Sequence, residues 1–364
     1  MINTQNQKAG DNSQQFQATQ MVVNLGIDEK RAREIYQEMN LQLRKDYSNE
    51  AFEIAISRVS EFESKLMSKM EKVEGALDVF ADPSFQLLLV EAQKTAAATE
   101  RPADYDLLSE LLIHRFKAGE NRITRAGINR AVEIVDEISD DALLGITIYH
   151  TVTSIVPATH DILQGLNTLE NLFSKIFYCD LPTGNEWLDH LEILNSIRIN
   201  NLMQLNNLEN IYSTTLSEYI DSGIAKTSSN FDEAQKIIQE HNIPSNILIE
   251  HALNSDFVRV AVSKDNIHTL SMTQNNGSFS QFIPFSIDQK NAVEKLYQLY
   301  DQDPEQKQKN CSTFMNEWDK RPNLKKLRDW WDNIGVNFTL TSVGSVLAHS
   351  NLQRCESKVP NLKK

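Results

Sequence analysis

The sequence predicts a mainly α-helical protein, a helical bundle or array with a short N-terminal strand and a small β-hairpin element in the C-terminal part. Three observations predict it. Gly (12) and Pro (9) are scarce in a chain of 364 residues, and few breakers favour long helices over a turn-rich β-architecture. Apolar residues recur at steps of three and four through most of residues 28–155. Asp, Asn, Ser and Pro stand where those patterns begin.

Residues 1–13 are polar, with Gly10-Asp11-Asn12-Ser13 as a turn cluster. FQATQMVVNLGI, residues 16–27, alternates loosely and stops at Gly26, which reads as a short strand; a frayed tail is the other reading. A lone strand leaves its edges unsatisfied. It must pair with distant residues of this chain, pair with other copies, or stay unpaired. Phe16, Val22, Val23 and Leu25 are therefore the oligomerisation candidates.

Asp28 caps a first helix carrying Ala32, Ile35, Met39 and Leu43. Ser48 or Asn49 caps a second, with Phe52, Ala55, Ile56, Val59, Phe62, Leu66 and Met70 along one face. That stripe is a coiled-coil seam or the core face of a bundle helix, and fewer than four clean heptads favour the bundle. Asp82-Pro83 opens the next helix, Pro102 another, residues 121–138 continue, and Ser139 or Asp140 caps the last of the series.

Pro157 is a break, helices resume over 158–225 with an interruption at 181–185, and the small, polar 223–231 is a linker candidate. Two short helices, 232–241 and 244–254, precede a predicted hairpin of Phe257–Val262 with Ile267–Met272. Helices follow at 287–300, 304–319 and 322–333, then a short strand and a helix capped by Thr341 or Ser342. The expected organisation is a leader (1–27), a helical domain (28–155), a helical middle region (156–225) and a C-terminal α+β domain (232–364).

The net charge of −14 argues against the whole surface being a nucleic-acid platform. Cys179, Cys311 and Cys355 match no zinc spacing and suit a reducing compartment. The polar N-terminus lacks a signal-peptide pattern, and no run of residues is apolar enough for a membrane span. A cytoplasmic location with no membrane partner is expected.

The opening QKAGDNSQQFQA resembles a Gly-Asp-x-Ser-x-x-x-Gln-Ala leader of uncharacterised bacterial proteins, matched by Gly10, Asp11, Ser13, Gln17 and Ala18. The resemblance continues at Gly26-Ile27, Arg33-Glu34-Ile35, Asp82-Pro83, Phe85-Gln86, Ala92-Gln93 and the run from Asp104 through Leu111-Leu112 to Arg115. Leu340-Thr341 and Val343-Gly344 look like the same family's C-terminus. It covers most of residues 1–155 and, loosely, the chain's end. The resemblance implies association with antiviral defence systems, hence a second defence protein as partner, and carries over no catalytic residue.

Motifs for chemistry are sparse. No two of the eight histidines have the i, i+4 spacing of a helical zinc site. The doublet His160-Asp161, with His150 and His190 as further ligands, is the one metal-hydrolase candidate, against plain cap and surface roles. No nucleophile elbow or phosphate loop appears. Cys179, after an aromatic run, reads as a buried thiol.

The local charge anomaly is residues 301–364, with eleven Lys/Arg against eight Asp/Glu. There Lys320, Arg321, Lys325, Lys326 and Arg328 adjoin Trp330 and Trp331. Lys325, Lys326, Arg328 and Trp330 are the nucleic-acid candidates, by phosphate contact and stacking. The simpler reading is an amphipathic helix with Leu324, Leu327 and Trp331 inward.

The expected function is a non-enzymatic, self-associating interaction protein (a sensor, scaffold or adaptor), with no cofactor. A nucleic-acid-binding protein ranks second, and a metal-dependent hydrolase third.

Overall fold

The computed structural model describes residues 27–40, 49–119, 121–276 and 279–362. Phe16, Val22, Val23 and Leu25 lie outside the described residues.

Helix starts follow the predicted caps. Asp28 Oδ1 accepts from Arg31 N at 2.8 Å at the head of α1 (Glu29–Asn40). α2 (Asn49–Met70) buries Ala55, Val59, Phe62, Leu66 and Met70. Its stripe faces α3 (Pro83–Ala98) and α4 (Pro102–Lys117), so it is a bundle face. Lys65 and Lys69 on its flank reach Asp106 and Glu110 of α4 at 2.7 and 2.8 Å. Asp82 caps α3 with Pro83 at the first position, where a missing N–H costs nothing. α5 (Arg122–Glu133) and α6 (Asp140–Ser154, capped by Ser139) complete the N-terminal array.

After the break at Pro157 come α7 (Ile162–Ile176), α8 (Glu186–Ile193), β1 (Ile197–Asn200), α9 (Leu208–Thr215) and α10 (Ser217–Ile220). A smaller α+β unit follows. It comprises β2 (Ile224–Ala225), α11 (Ser229–Glu240), β3 (Leu248–His251), β4 (Asn254–Val260), β5 (Ser271–Asn276), β6 (Phe279–Pro284) and α12 (Ile287–Gln298). The chain then returns to the helices as α13 (Pro304–Asp319), α14 (Pro322–Trp331), β7 (Asn337–Leu340) and α15 (Ser342–Cys355). The mainly α architecture with minor β content is as the sequence predicts. Among the described residues no helix is long and apolar enough to cross a membrane.

Three apolar cores organise these elements. The first joins α1–α6 to α8, β1, β7 and α15. The second holds α7, α9, α10, α13 and α14 with one face of α6 (Leu144, Ile148 and Val152) and Leu352 of α15, around Phe173, Tyr212, Phe314, Trp318 and Trp331. The third is private to the α+β unit, around Ile238, Val258, Val260, Val293 and Leu296.

The packing therefore divides the chain differently from the expected boundaries. The β-rich unit is an insertion whose entry and exit meet, Asp301 N donating to Gly223 O at 2.7 Å. Gly223 is required there: its φ is +80°, and a Cβ would lie 2.3 Å from the Val258 carbonyl. The predicted 223–231 linker is thus the neck, β2 and the start of α11. Residues beyond it do not form a separate C-terminal domain, because the apolar faces of α13–α15 are covered by N-terminal and middle helices.

Two local expectations are also corrected. Residues 244–254 form a 3-10 turn and β3 instead of a helix, since Leu248–His251 finds a backbone partner in β4. Phe257–Val260 pairs with β3 and β2, while 271–276 pairs with β6, so the predicted hairpin is two different ones. β1 escaped sequence reading because its partner, β7, lies far along the chain, in the register Ile197↔Leu340.

Candidate binding cleft

The basic, Trp-containing segment is α14. Its first turn has Pro322 at the start and no side-chain cap of its own. Glu170 of α7 supplies one instead, accepting from Asn323 N at 3.3 Å and Leu324 N at 3.1 Å. A carboxylate there satisfies free N–H groups and meets the positive end of the helix dipole. Leu324, Leu327 and Trp331 are fully buried, three and four residues apart, which turns Lys325, Lys326 and Asp329 to the surface, while Trp330 is half-buried at the edge of the core.

Opposite α14 runs the loop 181–185, leading into α8 with Trp187. Both indoles brace this loop: Trp330 Nε1 donates to Pro182 O at 2.8 Å and Trp187 Nε1 to Gly184 O at 3.1 Å. Their rings lie 5.9 Å apart at 40°. Between loop and helix is a cleft of about 740 Å³. Leu181, Pro182, Trp187, Trp330 and Ile334 give its apolar surface, and Lys325, Lys326, Asp329, Asn185 and Asn333 its polar groups. Such a size and mixture are ordinary for a ligand or peptide site.

The four nucleic-acid candidates divide in two. Lys325, Lys326 and Trp330 line the cleft. Arg328 does not line it: its guanidinium meets Asp319 at 2.8 Å, Glu209 at 3.6 Å and Asp332 at 3.8 Å. Lys325 pairs with Asp329 at 2.9 Å within the cleft, and Lys320 with Glu317 at 2.5 Å. Arg321 donates to the Glu317 carbonyl at 2.5 Å and to Asn167 at 2.9 Å. Lys326 forms no ion pair among the described residues; its ammonium sits 5.2 Å from the Phe177 ring centre. The basic run is thus largely neutralised in place.

The metal-hydrolase residues are not brought together. Asp161 caps α7 through Gln164 N at 2.8 Å. His160 lies 3.1 Å from the Asn266 amide and 3.7 Å from Glu218. His190 accepts from Ser139 N at 3.3 Å, and His150 is buried against His349. No group of three or more His, Cys, Asp or Glu is placed to hold a metal among the described residues. The Cys179 thiol is pushed up to about 11 by burial and by Asp140, Asp141 and Asp180, the opposite of nucleophile activation.

Sequence reading missed the loop wall of the cleft. Residues 181–185 registered only as an interruption between helices; the usable signal was a Pro182-Thr183-Gly184 turn with Trp187 three residues after its glycine.

A protein-family model matches residues 26–364. The chain belongs to that family. The matched segment contains every wall of the cleft and begins beyond the leader positions Gly10–Ala18. No curated protein and no solved structure gives a significant match.

Proposed function

We propose that the protein is a non-enzymatic interaction protein that self-associates, and that the cleft between α8 and α14 receives an apolar segment from a second copy. The observation that carries this reading is the cleft itself, walled by two indole rings and aliphatic side chains, with Lys326 at its edge forming no ion pair among the described residues. The leader supplies the occupant. It offers Phe16, Val22, Val23 and Leu25, and 26 residues ahead of Ile27 span at most ~90 Å when extended, ample for a neighbouring copy.

Light scattering after size exclusion tests this on the full chain, on a chain lacking residues 1–26, and on Trp330→Ala. Several copies in the full chain, with a lower mass in both variants, uphold the reading. An unchanged mass on removal of the leader overturns self-association through it. An oligomer that loses mass without the leader yet survives Trp330→Ala removes the cleft from the mechanism.

A second reading is single-stranded nucleic acid in the same cleft, supported by Lys325 and Lys326 beside Trp330. Charge reversal at both lysines then abolishes oligonucleotide binding, and binding weakens steeply with salt. Binding that survives either change sinks this alternative.

A further inference from the structure

β5 and β6 form a two-stranded sheet with no third strand among the described residues. The ribbon is tied down at its base, where Phe285 N donates to Leu270 O at 2.9 Å and Leu270, Met272 and Phe285 join the third core. Beyond the base it projects: Phe282 is 74% exposed, and neither strand packs extensively on another described element. A two-stranded ribbon alone in water is marginally stable and gains from further strands.

The register fixes which backbone groups point outwards. Leu270 and Phe285 are a hydrogen-bonded pair, so by alternation along the ladder Met272↔Ile283, Gln274↔Gln281 and Asn276↔Phe279 bond across the ribbon. The pairs between them turn N–H and C=O away from it. Ser271, Thr273 and Asn275 form the β5 edge, and Ser280, Phe282 and Pro284 the β6 edge. None of these outward groups meets another backbone group among the described residues.

Protein edges are ordinarily blunted by charge or proline. Pro284 does this for β6, and β5 has neither. No Lys, Arg, Asp or Glu lies between Thr269 and Ile287. Two other uncharged runs are as long, 142–160 and 333–353, and they carry the largely buried α6 and α15. The ribbon thus has the composition of a covered element and lies on the surface. Charge points to what covers it. At a net −14, two copies of the chain repel one another, and an uncharged edge is where they approach at least cost.

We propose that β5 pairs antiparallel with β5 of a second copy, making a four-stranded sheet across a twofold axis. Thr273 and Asn275 of each copy give and accept backbone hydrogen bonds, and Pro284 keeps β6 on the outside of the sheet. This contact is separate from the α8–α14 cleft and does not depend on the leader entering it.

The test measures mass by sedimentation equilibrium over a concentration series, on the full-length protein and on Trp330→Ala, which disables the cleft. Trp330→Ala is expected to remain a dimer. Adding Thr273→Pro weakens that dimer about tenfold or more, since an outward N–H is lost from both copies. Asn275→Lys, which sets like charges near the axis, weakens it too, while Ser280→Pro on the β6 edge does not. Hydrogen exchange at the Thr273 and Asn275 amides slows as protein concentration rises. A Trp330→Ala variant that is monomeric at every concentration, or a dimer indifferent to Thr273→Pro and Asn275→Lys, overturns the proposal. So does protection of Thr273 that is independent of concentration, or that disappears with residues 1–26, because the edge is then filled by another segment. Failure of the cleft reading shows separately, as a full-length mass that Trp330→Ala leaves unchanged and Thr273→Pro lowers.

Discussion

α14 and α15 follow one another in the chain and meet opposite fates. α14 buries only Leu324, Leu327 and Trp331 and presents a charged and aromatic face to a cleft. α15 is buried on every side, from Val343 to Leu352 with only Ser345 half-exposed, although it carries His349, Ser350 and Asn351 in that stretch. Small residues and polar side chains with distant partners make this possible. Asn351 Nδ2 donates to Thr147 Oγ1 at 2.8 Å and to the Tyr178 hydroxyl at 3.1 Å. A helix with three apolar anchors tolerates change on its open face, whereas one enclosed by α4, α5 and α6 has no such face.

The sharpest way to break this contrast is Gly344→Ala. A Cβ there lies 1.9 Å from the Ser196 carbonyl, so α15 must move away from the end of β1. The expected cost is about 3 kcal/mol or more, read as a lower midpoint in urea unfolding. A midpoint unchanged from the parent would falsify the close packing of α15.

Next comes pH. The buried His114, His150 and His349 bind protons readily when unfolded, near 6.5, and poorly when folded, at about 4, 4 and 3. The stabilisation is therefore full above about pH 7 and lost as pH falls through 6.5 towards 4, by up to about 1.4 kcal/mol per unit for each histidine. The Asp104 carboxyl, raised by burial, works the other way, mainly at the acid end of that window. Unfolding midpoints measured from pH 7 to 5 should fall, and fall less in His349→Gln. A flat profile contradicts burial of neutral histidines.

On α14 smaller effects are expected. Trp330→Phe keeps a ring but loses the hydrogen bond to Pro182 O, costing about 1 kcal/mol and freeing the cleft loop. Hydrogen exchange should rise in residues 181–185 while α15 stays protected; uniform loosening argues against a local brace. Lys326→Ala should leave the melting temperature within the shift expected for about 0.5 kcal/mol, since its contact is one exposed cation over Phe177. A larger loss would mean that the open face of α14 also holds the fold together.

The same contrast explains what was legible. Caps at Asp28, Asp82, Ser139 and Thr341, and prolines 83, 102, 304 and 322, announce helix starts because capping is a contact within one turn. The α14 face was readable from its three- and four-residue spacing, and with it Lys325, Lys326 and Trp330. Arg328 was assigned to the same site because a list of charges does not reveal that Asp319, Glu209 and Asp332 already surround it.

Local signals in the chain determined its helical class, most helix boundaries and one wall of the cleft, since each depends on residues within a few positions of one another. Tertiary structure alone decided that residues 223–300 are an insertion, that β1 pairs with β7, that α15 closes the first core, and that His114 and His150 meet His349. Each of these brings together groups from well-separated segments. Such contacts form only when apolar faces on distant segments are buried together, and the polar residues then placed between them, including His349 and Asn351, find partners that no local pattern specifies.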